Sequence, residues 1–274
     1  MIILRWSSRL HDSGRARPIE LTTVIRDAMS IQLGRVCELV RYPVKSMAGT
    51  ATESAFLGWH GLDGDRRFAF RRVEDTSGFP WLTASRVPGL LLYHPIGFDE
   101  STGELLPNEV QTPTGACLPL QGDELQREVS ERYGSHVELM RLRSGIFDDA
   151  PVSVITLATV AGICHEAGTT PDPRRFRANI VLETQGSEPF PEDEWIGGTL
   201  AFGDGESGPA VCVTARDARC MMINLDPDTA VQDARVLKAV VRLNENNAGI
   251  YGTVTRTGTL RVGQSVRLVA SALR

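Results

Sequence analysis

The chain has 274 residues, of which 42% are hydrophobic and 23% are charged, and its formal net charge is −5. This length suggests two packed domains, and the composition is that of a globular protein with a real core. The acidic balance and the lack of a long basic run argue against a nucleic-acid binder. No apolar run reaches the roughly 18 to 20 residues of a membrane-spanning helix, so we expect a soluble protein with no membrane partner.

The cysteines indicate the compartment. They are odd in number and include no CxxC pair, which disfavours a disulfide framework, a structural zinc site and an iron-sulfur cluster. A reducing cytoplasm fits this usage best. The five are Cys37, Cys117, Cys164, Cys212 and Cys220.

The first residues of the chain do not have the pattern of a targeting peptide. Their apolar start is too short for a signal peptide and contains Arg5, while three acidic residues before Met29 disfavour a transit peptide. We expect residues 1–30 to form a disordered leader, and our hypothesis is that Met29 is the natural start.

Residues 31–145 predict the first domain, an N-terminal β-barrel. Short β-rich segments such as RRFAFRRV and HVELMRL alternate with Gly, Pro, Asn and Asp signals, which favours a curled sheet. Residues 123–134 have an acidic start and a glycine stop, and they predict one capped surface helix.

Residues 146–274 predict a second, mostly β domain that carries a few helices. The segment VSVITLATVAGICHEAG predicts a strand that leads into a helix, FRANIVLE predicts another strand, and DTAVQDARVLKAVVRLN predicts another helix. GTLRVGQSVRLV predicts a closing hairpin around Gly263. The expected fold class is therefore mostly β with some α, an N-terminal β-barrel-like domain packed on a C-terminal one.

Four short motifs carry polar side chains that could form a site. YPVKS contains Lys45 and Ser46, a plausible phosphate cradle, although a solvated surface lysine is the alternative. GDRRFAFRR contains four arginines, Arg66, Arg67, Arg71 and Arg72, which are most often merely solvated. FRANIV sets Arg177 and Asn179 two residues apart, on one side of the expected strand, as a polar ligand pocket would require.

The fourth motif, DARCMMINLDPDT, contains Cys220 directly after Arg219. A neighbouring arginine favours the thiolate, the form that attacks electrophiles or binds metals. The alternative is a buried structural cysteine, because free cysteines are among the most buried residues. The turn built by Asp226, Pro227 and Asp228 would hold the preceding segment rigidly.

In this order, YPVKS, DRRFAF, WLTASRVPGLL, FRANIVLE, ARCMMINLDPDT and GIYGTVTRTGTLRVGQSVRL make the chain resemble the MOSC family, from about residue 31 to residue 270. The resemblance implies a MOSC N-terminal β-barrel domain followed by a MOSC domain. It also implies a bound molybdenum cofactor, a molybdopterin, with Cys220 as the metal ligand and catalytic residue. The residues that it implies for cofactor binding are Lys45, Ser46, Arg66, Thr156, Arg177, Asn179, Arg219 and Tyr251.

Two functions remain open at this point. The first is a molybdenum oxidoreductase that reduces N-oxygenated small molecules, like the amidoxime-reducing members of the family. Since no ferredoxin domain is recognisable, we expect a separate electron-donor protein of the ferredoxin or flavin type. The second is a non-redox carrier that uses Cys220 to hold cofactor or sulfur. Pyridoxal phosphate belongs to the family's sulfurases, whose desulfurase domain is not recognisable here.

Overall fold

The structure, a computed structural model, describes residues 30–98 and 105–269. The expected leader and Met29 lie outside the described residues, apart from Ser30, where the first strand begins. The strands are β1 Ser30–Arg41, β2 Thr50–Thr52, β3 Ser54–Gly58, β4 Gly61–Leu62, β5 Phe68–Arg72, β6 His94–Phe98, β7 Pro107–Gln111, β8 Cys117–Pro119, β9 Val137–Arg141, β10 Val152–Thr156, β11 Ile180–Thr184, β12 Thr199–Phe202, β13 Ala210–Ala218, β14 Asn247–Arg256, β15 Gly258–Arg261 and β16 Ser265–Val269. The helices are α1 Asp123–Tyr133, α2 Leu157–Ala167 and α3 Arg235–Asn244, with 3₁₀ helices at Pro88–Leu92, Pro173–Phe176, Pro191–Trp195 and Met221–Asn224.

Seven strands close a barrel in the order β11, β10, β14, β13, β12, β16 and β1, and β1 returns to pair with β11. β10 and β11 are parallel, which the helical crossover α2 allows. The interior is apolar because alternate strand residues point inward, among them Val154, Leu182 and Ile250. A closed barrel has no unpaired sheet edge.

The barrel includes strands from both ends of the chain. β1 pairs with β11 and β16, and β3 pairs with β15, so residues before 60 form sheets with residues after 146. β2 pairs with β1. The expected domain boundary at 145/146 stays a prediction. The expected class is confirmed, since strands dominate and three α-helices accompany them in the described residues.

The intervening residues build a second apolar core. β5 pairs with β9, β7 lies between β6 and β8, and α1 packs over them. α1 matches its prediction closely: Asp123 and Glu124 occupy the first turn, Gly134 ends the helix in a left-handed conformation, and Leu125 and Val129 are buried. Those two residues are four apart and so share one helix face.

A third core lies outside the barrel, where α2 and α3 cover β10 and β11. β10 is buried along its whole length, with Val152 and Val154 in the barrel and Ile155 under the helices. This explains its almost continuous apolar run. No helix in residues 30–98 and 105–269 is long and apolar enough to cross a membrane.

One local prediction is wrong, and two others have the wrong starting residue. β15 and β16 do not form a hairpin: β15 pairs with β3 and β16 with β12, because the amides of Val262 and Gly263 bond to Glu53 and Val36. The predicted helix at residues 228–244 begins only at Arg235. The strand expected from Phe176 begins at Ile180, since Arg177 is in the left-handed region with φ 53°, which a strand cannot contain.

Candidate functional site

A cleft of about 350 Å³ opens where three segments meet: the YPVKS turn, the residues before β11 and the turn after Cys220. Its lining contains predicted site residues from every one of these segments. Those on the lining are Lys45, Ser46, Arg66, Arg177, Arg219, Cys220 and Tyr251.

Backbone hydrogen bonds join the YPVKS turn to the GDRRF segment. The Lys45 amide donates to Phe68 O at 2.8 Å, and the Arg66 amide donates to Tyr42 O at 2.8 Å. Ser46 and Arg66 both have positive φ, 70° and 48°. Together with Arg177, three non-glycine residues on the cleft have left-handed backbones, a conformation that costs about 1 kcal/mol or more and clusters at functional sites.

Lys45 is almost completely buried and faces a carboxylate. Its Nζ lies 2.8 Å from Asp148 Oδ1 and 5.6 Å from the centre of the Phe79 ring. Burial lowers the pKa of Lys45, and Asp148 only partly opposes that effect. Burial would raise the pKa of Asp148, but the cations Lys45, Arg66 and Arg177 together outweigh it and the pKa is lowered.

Arg66 and Arg177 stack on the ring of Tyr42, with guanidinium carbons 5.2 and 4.2 Å from its centre. Arg66 is neutralised by Asp65 and donates to Arg177 O at 3.2 Å. No acceptor for the guanidinium of Arg177 occurs among the described residues. Burial, with a contribution from the like charge of Arg66, lowers the pKa of Arg177 to about 10. Arg177 is thus a cation that makes no ion pair with the described residues, although Asp65 and Asp148 attract it at longer range.

Asn179 lies beneath the cleft rather than on its lining. It is buried, its Oδ1 accepts from the Ser153 amide at 3.2 Å, and its Nδ2 donates to Val40 O at 3.2 Å. Its Oδ1 is also 3.4 Å from Arg66 Nη1. Asn179 therefore joins β1, β10 and Arg66 under the floor of the cleft.

Cys220 is exposed, and its thiol is free. It immediately precedes the 3₁₀ helix Met221–Asn224. Arg219 turns inward: its Nε and Nη1 donate to Ala248 O and Phe176 O, both at 2.7 Å. A side chain at Gly249 would meet Arg219 Nη2 at 3.1 Å and Val154 O at 2.6 Å, so this close approach requires glycine.

Asp217 is the counter-ion of Arg219, with Oδ2 2.9 Å from Nη2. This is a charge contact, since Nη2 makes no hydrogen bond with the described residues. Asp217 Oδ2 also accepts from Ser153 Oγ at 3.3 Å, and Tyr251 shares this cluster. Burial raises the pKa of Asp217 to about 6, although Arg219 opposes the shift.

Thr156 is the one predicted residue that lies away from the cleft. It is fully buried at the start of α2, where its hydroxyl accepts from the Thr159 amide and donates to Glu192 Oε2 at 2.9 Å. Thr159 Oγ1 donates to the same carboxylate at 2.8 Å. Thr156 thus caps a helix in this structure.

Four residues of the site are not among those predicted from the sequence: Tyr42, Asp148, Ser153 and Asp217. Two signals were available. Asp148 follows a glycine-containing loop and comes just before a buried strand, and Asp217 shares a motif with Cys220. The role of Tyr42 as a platform for two arginines required the fold, because Arg66 and Arg177 are far apart in sequence.

Two family models match the chain. The MOSC N-terminal beta barrel domain matches residues 33–111, and the MOSC domain matches residues 132–267. Among curated proteins, mitochondrial amidoxime reducing component 2 from Bos taurus is 26% identical over 288 residues, covering 86% of this chain and 83% of that protein.

Solved structures are less similar. The YuaD protein from Bacillus subtilis has a TM-score of 0.47 at 14% identity, covering 87% of this chain and 96% of that one. YiiM from Geobacillus stearothermophilus has a TM-score of 0.33 at 17% identity, covering 45% and 56%. Both scores are below 0.5 and support no conclusion about function. The domain matches confirm the resemblance: this chain belongs to the MOSC family, with a MOSC N-terminal beta barrel domain before its MOSC domain.

Proposed function

We propose that this protein binds a molybdenum cofactor in the cleft and reduces N-oxygenated compounds with electrons from a separate donor protein. MOSC domains are associated with this cofactor, and the bovine relative is named as an amidoxime reducing component. The observation that carries the proposal is that one cleft contains an exposed thiol, Cys220, and a cation, Arg177, that makes no ion pair with the described residues.

The residues present fit such a group. Lys45, Arg66, Arg175 and Arg219 each face a carboxylate, whereas Arg177 makes no ion pair with the described residues. Five basic side chains line the cleft, against the three carboxylates of Asp148, Asp149 and Asp217, so the lining carries an excess of positive charge, as an anionic ligand would require. A thiolate is a suitable ligand for a soft or borderline metal.

In this proposal Lys45, Ser46, Arg66 and Arg177 would hold the phosphate and pterin, and Cys220 would ligate molybdenum. When bound, the cofactor would supply a metal that takes up two electrons and accepts an oxygen atom. Asn179 and the Nε and Nη1 of Arg219 would act from behind, because these donors bond to protein groups.

Asp217 is suited to holding a proton. Its pKa of about 6 lies close to neutrality, and its carboxylate touches Ser153 and Arg219 on the cleft lining. Reduction of an N–OH group to N–H and water consumes two electrons and two protons. A carboxyl that titrates near the working pH can pass on such protons efficiently.

The test uses protein purified from a host that makes the cofactor. A reduced viologen dye replaces the donor protein, and dye oxidation is followed with and without an amidoxime or hydroxylamine. We expect substrate-dependent oxidation with the wild type, none with Cys220→Ser, and none with NAD(P)H in place of the dye.

The result that contradicts the reductase is fully loaded wild-type protein that oxidises no dye across a panel of N-oxides, amidoximes and hydroxylamines. The second function, a carrier of cofactor or sulfur, then becomes the better account, since the exposure of Cys220 suits transfer to another protein. The cytoplasmic location and the absence of nucleic-acid partners stay predictions.

A further inference from the structure

The turn that follows Cys220, residues 221–229, is held from outside by two consecutive arginines and is called the cysteine turn. Arg174 and Arg175 belong to the 3₁₀ helix Pro173–Phe176, which packs near the 3₁₀ helix Met221–Asn224. Arg174 pairs with Asp228, and Arg175 pairs with Asp226. These contacts link the segment before β11 to the cysteine turn.

Arg175 makes the more protected of the two contacts. Its Nη2 lies 2.6 Å from Asp226 Oδ2, and its Nη1 donates to Asn224 O at 3.5 Å. Its side chain is only 8% exposed, compared with 51% for Arg174. Arg175 also stands between two cavities, the cleft and a smaller one of about 140 Å³.

Asp226 organises the rest of the turn with its other oxygen. Oδ1 accepts hydrogen bonds from the amides of Asp228 and Thr229, at 3.1 and 3.0 Å, and from Thr229 Oγ1 at 3.0 Å. Asn224 Oδ1 accepts from the Leu237 amide at 2.8 Å, which connects the same turn to α3. The carboxylate of Asp226 thus bonds the turn with one oxygen and Arg175 with the other.

We infer that Arg175 is a positioning residue: through Asp226 and Asn224 it holds the turn that carries Cys220 against the Arg177 side of the cleft. The effect on cofactor binding rests on the proposed function, since a bound cofactor would contact both Cys220 and Arg177. Arg177 follows Arg175 by two residues, so one short segment carries both the clamp and the unpaired cation. A ligand that bridges Cys220 and Arg177 requires their separation to be fixed.

Arg174 supplies a matched control. It neighbours Arg175, and it pairs with Asp172 and Asp228 at 2.7 Å each, but these contacts are exposed. Exposed ion pairs add little to stability because water screens them. If positive charge alone held the turn, loss of Arg174 and loss of Arg175 would increase its amide exchange equally.

The first measurement is amide hydrogen exchange on cofactor-free protein. Arg175→Met and Asp226→Asn should each accelerate exchange in residues 221–229 by about tenfold or more. Arg174→Met should change it by less than about twofold, and β11 should keep its wild-type exchange in all variants. Asp226→Asn keeps an oxygen for the turn and removes the charge that Arg175 pairs with, so it gives a second test if Arg175→Met does not fold. Arg175→Lys should restore part of the protection.

The second measurement is molybdenum retained per chain after gel filtration of protein from a cofactor-making host. Arg175→Met and Asp226→Asn should retain several-fold less than wild type, and Arg174→Met should match wild type. Unchanged exchange in residues 221–229 overturns the clamp, and faster exchange with normal retention overturns its positioning role. If wild-type protein holds no molybdenum, the proposed function fails, while the exchange result still decides whether Arg175 fixes the turn.

Discussion

Two buried polar clusters flank β10 and β11, and they differ in whether the protein satisfies them. In the first, Glu192 accepts from Thr156 and Thr159, and these three side chains close the network. In the second, Arg66 is paired but Arg177 is left without a carboxylate among the described residues. A cluster whose polar groups bond to one another is satisfied without a ligand. A cation that makes no ion pair and lies beside an open cleft can instead bind an anionic ligand.

Strand register explains why the clusters are separate. β10 and β11 are parallel, and the Asn179 amide donates to Ser153 O at 2.9 Å, which aligns the start of β11 with Ser153. Thr156 is three residues further along β10, about 10 Å away at the usual rise per residue. Ser153 therefore lines the cleft, while Thr156 reaches the opposite end and begins α2.

The largest difference between the clusters should come from Arg177→Ala. Loss of the Arg177 guanidinium, which makes no ion pair with the described residues, should weaken cofactor retention about tenfold to a hundredfold. This is the range for a charge-assisted hydrogen bond. The free energy of unfolding of cofactor-free protein should change by about 1 kcal/mol or less, because relief of the repulsion from Arg66 offsets the lost stacking on Tyr42. Urea unfolding and pterin content would measure the two, with Arg35→Ala as an exposed control. A collapse of stability at normal pterin content would make Arg177 a structural residue.

Thr156→Val should show the opposite pattern. The change keeps the shape but removes a helix cap and a hydrogen bond to Glu192, which together cost about 2 kcal/mol of unfolding free energy. Folded protein should retain as much cofactor as wild type, since Thr156 lies away from the cleft. Reduced pterin content per folded chain would instead support the cofactor contact that the family resemblance implies.

Asp217 gives an effect of similar size that depends on pH. Because burial raises its pKa to about 6, the folded state keeps a proton that the unfolded state releases near pH 4. The stability contributed by the protonated carboxyl is present below about pH 4 and is lost as pH rises through about 6. Relative to Asp217→Asn, wild type should lose roughly 2 kcal/mol between pH 4 and 7. Parallel stability curves for the two proteins would contradict the shift, with Asp149→Asn as the exposed control.

The sequence was sufficient for the fold class, the family and most of the cleft, because local patterns carry that information. α1 was predictable from its acidic start and glycine stop. The YPVKS, FRANIV and DARCMMINLDPDT motifs do converge on the cleft. Pairing partners were not predictable: the strands around Gly263 are close in sequence yet join different sheets. Asp148 as the partner of Lys45 depends on a contact across 103 residues, which no local pattern encodes.

The central claim is that the cleft between Arg177 and Cys220 holds a molybdenum cofactor. The most direct test is the molybdenum and pterin content of wild-type protein, Arg177→Ala and Cys220→Ser, purified from a host that makes the cofactor. We predict equal amounts of molybdenum and pterin in wild type, close to the amount of protein, less of both in Arg177→Ala, and loss of most of the molybdenum in Cys220→Ser. Wild-type protein with neither component, or a Cys220→Ser variant with wild-type content of both, would contradict it.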